Sequence, residues 1–185
     1  MCGTFSKLKP CNIALTAVIQ FIIISTCISQ PLNTKILDCD VSISGSFGEF
    51  RGNHFHAGID YKTGAKEGIP VFSAADGFVF RVLVSRSGYG KALYIKHDQD
   101  ITTVYAHLRA FAGVLADSIL EKQYAQENFE LNYYPKAHAF PIKKGDLIGY
   151  SGNSGSSEGP HLHFETRQST TEKPFDPSTV GYVYP

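Results

Sequence analysis

The chain has 185 residues, 43% of them hydrophobic and 18% charged, which fits one ordinary globular domain. Lys plus Arg equal Asp plus Glu at 17 each, so there is no basic field to gather nucleic acid and no acidic tail. With 17 Gly, 10 Tyr, 13 Phe and no Trp, many turns between aromatic and β-branched runs predict an all-β, mainly antiparallel fold.

Lys7 and Lys9 precede an apolar run from Ile13 to Ile24, and the small residues Cys27 and Ser29 follow. A basic start, a short apolar middle and a small-residue exit predict a secretory signal over residues 1–29, cleaved after Ser29. The run falls short of the roughly 20 residues that a membrane span needs. An uncleaved anchor and a lipid on Cys27 are the alternatives, the second disfavoured by Thr26 just before it. Export places the protein in the periplasm or associated with the cell envelope. Membrane contact is then expected only if this segment is uncleaved or lipidated. The four cysteines, Cys2, Cys11, Cys27 and Cys39, all lie in this early part of the chain. No disulfide framework can therefore staple the rest, and a Cys-based zinc site is not expected. Cys39 reads as a lone structural thiol.

Beyond a short lead at 30–41, the chain alternates short strands with Gly-rich turns. Val41 to Gly48 alternates weakly and then breaks. In Asn53-His54-Phe55-His56-Ala57-Gly58-Ile59-Asp60-Tyr61, His56 and Asp60 are four apart and share a face in an extended or a helical backbone. Gly58 lets the chain bend closely between them, and both residue types are zinc donors. Spacing alone does not choose between His54 and His56. Ile69 to Ala75 and Phe78 to Val84 read as two strands joined by an Asp76-Gly77 hairpin turn. The strand Lys91 to His97 is followed by another over Ile101 to Leu108. There Val104, Ala106 and Leu108 are expected on one face, and Thr103, Tyr105 and His107 on the other. His97 and His138 read as structural.

Residues 109–141 change character: Leu115, Ile119 and Gln123/Tyr124 recur at helical intervals, and Phe129 to Tyr134 suggests a short strand. This excursion could wall a groove or cap the core. Lys143 to Tyr150 reads as a turn and strand, and Ser151 to Ser157 as a flexible polar loop. That loop has no following Lys and opens no helix, so phosphate cradling is rejected. It leads into Gly159-Pro160-His161-Leu162-His163-Phe164-Glu165. On a strand His161, His163 and Glu165 point one way and Leu162 and Phe164 the other. Two imidazoles about 6–7 Å apart along the strand are well placed to hold a divalent metal.

Four pieces in order, His56-Ala57-Gly58-Ile59-Asp60, Tyr105-Ala106-His107-Leu108, Lys144-Gly145-Asp146 with Gly152-Asn153-Ser154-Gly155, and His161-Leu162-His163-Phe164-Glu165, resemble the lysostaphin/LytM-type zinc metallopeptidases. The resemblance implies a curved antiparallel sheet with an open groove, plus a short helical insertion. It implies a metallopeptidase domain over 42–183, with the insertion at about 109–141. By its pattern one Zn²⁺ is held by His56, Asp60 and His163. His107 and His161 are the catalytic histidines beside the metal-activated water, with acid and base roles not divided between them. The implied activity is endopeptidase cleavage of peptide cross-links in bacterial peptidoglycan, by a monomer. A non-catalytic cell-wall-binding or amidase-activating module of the same fold is the alternative, as is a zinc hydrolase with another substrate. Tyr105 and Glu165 read either as partners standing behind the histidines or as ordinary strand residues.

Overall fold

The computed structural model describes residues 35–40 and 42–180. The expected signal segment lies outside the described residues, as do Cys2, Cys11 and Cys27. In chain order the strands begin with β1 (Ile43–Gly45), β2 (Phe50–Arg51), β3 (His54–Phe55), β4 (Ile59–Lys62) and β5 (Pro70–Phe72). They continue with β6 (Gly77–Val84), β7 (Lys91–Lys96), β8 (Ile101–Ala106) and β9 (Ala110–Phe111). After the helix α1 (Gly113–Ala125) come β10 (Leu131–Tyr133), β11 (Pro141–Ile142), β12 (Leu147–Tyr150), β13 (His161–Gln168) and β14 (Pro174–Phe175). Among the described residues no helix is long and apolar enough to cross a membrane.

The main sheet runs β1-β4-β13-β8-β7-β6-β10, with β14 added to β13 and β11 added to β6. A smaller sheet has the order β5-β12-β9, and β2 and β3 form a separate hairpin. Every pairing is antiparallel. The main sheet is open, as the fold expectation requires, and β13 sits between β4 and β8 near one end.

The period-2 pattern of β13 decides what each face does. Leu162 and Phe164 enter the core at 0% exposure, where Phe164 packs its ring 5.3 Å from Tyr105 and 6.4 Å from Tyr61. Each such side chain contributes roughly 1.5–3 kcal/mol by leaving water. Val71 and Ile148 from the small sheet, and Leu115 and Ile119 from α1, close the same core. Ile36 and Leu37 are fully buried in it too, and Leu37 bridges to Val71. Gly58 is required by proximity: a Cβ there would sit 2.2 Å from the Phe164 carbonyl oxygen, so any side chain would push β4 off β13.

Three expectations are corrected. The two faces of β8 are the reverse of those read from sequence. Register pairs Phe164 with Tyr105 and His163 with Ala106, so Tyr105 follows Phe164 into the core, away from the histidines. Val104 and Ala106 instead lie with Ala92 and Tyr94 in a small cluster on the opposite face. His107 still reaches the site because its φ of 57° breaks the alternation just beyond the strand. Its N–H donates to Tyr89 O (3.0 Å), and the next N–H, of Leu108, donates to Lys91 O (3.0 Å).

The Asp76-Gly77 hairpin does not form, because β5 pairs with β12 in the small sheet while β6 pairs with β7 in the main one. Asp76 is drawn to the 143–146 turn, where its carboxylate accepts from Lys144 N (2.8 Å) and Lys143 Nζ (3.2 Å). The 151–157 loop is not loose either. The Ser154 hydroxyl donates to Leu108 O (2.8 Å) and accepts from Lys91 N (2.9 Å), and Ser156 N donates to Gly88 O (2.9 Å). The 109–141 excursion forms β9, α1, β10 and the start of β11. It buries Leu115 and Ile119 and pairs β10 with β6, at the end of the main sheet away from β13.

Candidate metal centre

His56 stands just before β4 and Asp60 lies within it, in register opposite His163 of β13. His56 is placed by a tight loop in which its N–H donates to Glu49 O (2.8 Å) and its carbonyl accepts from Gly48 N (2.9 Å). Its ring Nδ1 donates to Ser46 O (2.8 Å), which leaves Nε2 bare and turned inward. His163 spends Nε2 on Glu165 Oε1 (2.8 Å) and turns Nδ1 inward. Asp60 Oδ2 accepts from Arg51 Nη2 (2.5 Å), and Arg51 Nε also donates to Glu49 Oε1 (2.8 Å). Asp60 Oδ1 faces the two rings.

The three inward atoms converge. His56 Nε2 is 3.0 Å from His163 Nδ1, Asp60 Oδ1 is 2.9 Å from His163 Nδ1, and Asp60 Oδ1 is 3.2 Å from His56 Nε2. Donors about 2.1 Å from a tetrahedral ion lie roughly 3.4 Å from one another, so this triangle is slightly tighter than a zinc shell and of the same shape. All three residues are buried. Two bare nitrogens and a carboxylate oxygen facing one another are complementary to a cation and to little else. Burial pushes the Asp60 pKa up, yet the neighbouring imidazoles of His161, His163 and His56 outweigh it and hold the carboxyl far below its usual range. Burial lowers the His163 pKa, but Asp60 and Glu165 reverse this and raise it.

His107 and His161 complete the site. Their rings lie 4.7 Å apart, and His107 is 5.8 Å from His163. His107 Nδ1 donates to Ser154 O (2.8 Å) and His161 Nδ1 donates to Gly159 O (2.8 Å), so each is held as the tautomer that presents Nε2. His161 Nε2 is 3.5 Å from Asp60 Oδ1. Burial pushes the His107 pKa down to about 4, keeping the ring neutral. These five residues lie along a groove of about 1010 Å³ whose other walls include Ser44, Lys62, Tyr89, Glu158 and Pro160. The 109–141 segment contributes no residue to it, so within the described residues the excursion caps the core and does not wall the groove.

The structure brings together all five candidate residues, and of the other histidines only His54 also lines the groove, outside the donor triangle. His54 is exposed on β3, with Nδ1 against Asn53 Oδ1 (2.7 Å). His97 is buried elsewhere, held by Asp76 O (2.7 Å) and Thr103 Oγ1 (2.7 Å). His138 stacks on Phe78 at 4.2 Å. Arg51, Tyr89 and Arg167 surround the donors but carry no spacing signal from the N-terminal pieces. Arg167 alone was within reach of pattern reading, since it continues the alternation His161, His163, Glu165. Cys39 is a free thiol, half-buried, with its pKa raised by burial.

A sequence model of Peptidase family M23 matches residues 54–124 and 132–177. The chain belongs to this family. The match spans every candidate residue and breaks only between the end of α1 and the start of β10. The DD-carboxypeptidase/endopeptidase Mpg of Neisseria meningitidis serogroup B is 35% identical over 130 residues, covering 70% of this chain and 24% of that protein. The chain thus spans about a quarter of that relative's length. A zinc containing peptidase from Vibrio cholerae superposes with a TM-score of 0.59 at 24% identity, over 84% of this chain and 41% of the other. The catalytic domain of lysostaphin from Staphylococcus simulans does so with a TM-score of 0.56 at 21% identity, over 75% and 90%. These two structures share the fold, and the family match together with it bears out the lysostaphin-type resemblance read from the motifs.

Proposed function

We propose that this protein is an exported zinc metalloendopeptidase that hydrolyses peptide cross-links of bacterial peptidoglycan. The observation that carries the reading is the triangle of His56 Nε2, Asp60 Oδ1 and His163 Nδ1, each with its outer atom already hydrogen-bonded. Three protein donors suit a catalytic zinc site, which keeps one position for water or substrate. When bound, zinc supplies Lewis acidity that polarises a carbonyl and makes water more acidic.

The chain's own residues then do the rest. Arg51 holds Asp60 from behind, and Ser46 O holds His56, so neither donor can rotate away. His107 and His161 present bare Nε2 atoms to the same space, where either can take a proton from the attacking water, and the imidazolium so formed then returns it to the leaving amine. The open groove admits an extended peptide along β13. The name of the Neisseria relative, a DD-carboxypeptidase/endopeptidase, supports peptidoglycan peptides as the substrate class. The same proposal includes removal of residues 1–29 on export and action as a monomer.

The test is to incubate the purified protein with isolated peptidoglycan, with and without a chelator. Release of new amino termini that stops with chelator and returns with Zn²⁺ is expected. Stoichiometric zinc with every cross-link left intact would replace the enzyme by a binding module of the same fold.

A further inference from the structure

Of the four imidazoles at the centre, three are held alike and one is not. His56, His107 and His161 each donate Nδ1–H to a backbone carbonyl and present Nε2. His163 is turned over: Nε2 is spent on a carboxylate and Nδ1 faces inward. That carboxylate, Glu165, has 0% exposure. Both of its oxygens are taken. Oε1 accepts from His163 Nε2 (2.8 Å) and from the Tyr89 hydroxyl (2.6 Å), and Oε2 accepts from Arg167 Nε (2.5 Å). Arg167 Nη2 donates in turn to the Tyr89 hydroxyl (3.0 Å), closing a ring of three side chains.

A buried charge is costly unless every lone pair finds a donor, and here the donors are present. An ionised carboxylate can only accept. It therefore requires a proton of His163 on Nε2, so that the neutral ring has its bare Nδ1 on the inward side. A backbone carbonyl does the same for the other three rings, but only this one is backed by a full negative charge, which also makes the imidazole a stronger donor.

We infer that Glu165, aimed by Tyr89 and Arg167, is a positioning residue of the metal centre: it sets the tautomer and orientation in which His163 offers Nδ1. The inference rests on the metal reading proposed above and adds to it. With the carboxylate neutralised, His163 is free to carry its proton on Nδ1, and an incoming metal ion must first displace it. Tyr89 keeps the carboxylate aligned while its ring lines the groove 5.5 Å from the His163 ring.

The experiment measures zinc affinity by competition with a chromophoric chelator, together with the visible spectrum of the cobalt-loaded protein. Wild type, Glu165→Gln and Tyr89→Phe are compared, with the melting temperature of each metal-free protein as the control for a merely structural role. Glu165→Gln is expected to bind zinc about 10–100-fold more weakly and to shift the cobalt bands. Tyr89→Phe keeps the ring and the charge and should lose a smaller factor in the same direction. Folded Glu165→Gln protein with wild-type zinc affinity and an unchanged cobalt spectrum overturns the inference, whatever its melting temperature. If Glu165→Gln does not fold, Tyr89→Phe decides by the same two readouts. Wild-type protein that binds no stoichiometric zinc overturns the proposed function first. Zinc bound equally by wild type and variants overturns only the role of Glu165.

Discussion

On one face of β13, Leu162 and Phe164 pack at 0% exposure among other apolar side chains. On the other, His163 and Glu165 are nearly as deeply buried, yet every polar atom there has a named partner. The apolar face is held by many weak, non-directional contacts, so its residues are interchangeable within limits of volume. The polar face is held by a few directional bonds, and each fixes which ring atom points inward. Damage to the first face should appear as lost stability, and damage to the second as lost metal and turnover. The following substitutions test that division.

The largest effect is expected from His163→Ala, which should remove bound zinc and bring peptidoglycan cleavage to background. Metal analysis of the purified variant checks this, and retained stoichiometric zinc would remove His163 from the donor set. Next, His107→Gln should keep its zinc while turnover falls by about 10²–10⁴-fold, as read from zinc content and cleavage rate on the same sample. Phe164→Ala on the opposite face should cost about 3–5 kcal/mol in urea unfolding, while whatever remains folded still binds zinc one to one. Folded Phe164→Ala protein that bound no zinc would mean the two faces are not separable.

The smallest effect concerns pH. Burial lowers the His97 pKa below its ordinary 6.5, so the folded ring takes up its proton at a lower pH than the unfolded one. As pH falls, the unfolded chain takes up this proton first, near pH 6.5. The contribution is therefore complete above that pH and is lost as pH falls toward the lower folded value. His97→Gln should flatten the acid side of the stability curve by at most about 1.4 kcal/mol per pH unit, with cleavage at neutral pH unchanged. Denaturant titrations of both proteins between pH 4 and 8 read it directly.

Much of this was present in local pattern. The alternation of β13 follows from the covalent geometry of an extended chain, and so from sequence alone Leu162 and Phe164 are assigned to one face and His161, His163 and Glu165 to the other. The helix at Gly113–Ala125 follows from apolar spacing at 115 and 119, and the ordered motifs are those of the family the chain belongs to. What local pattern leaves open is which face of a strand goes inside when both carry apolar residues. On β8 that choice was made by register with β13, which sends Tyr105 after Phe164. The left-handed backbone at His107 is likewise invisible in a non-Gly residue, since it is held by Tyr89 and Lys91 from another part of the chain. The burial of Glu165 beneath Tyr89 and Arg167, and the grip of Arg51 on Asp60, join residues from separate segments. Alternation is set residue by residue along the chain, whereas partners, register and burial exist only once distant strands have paired.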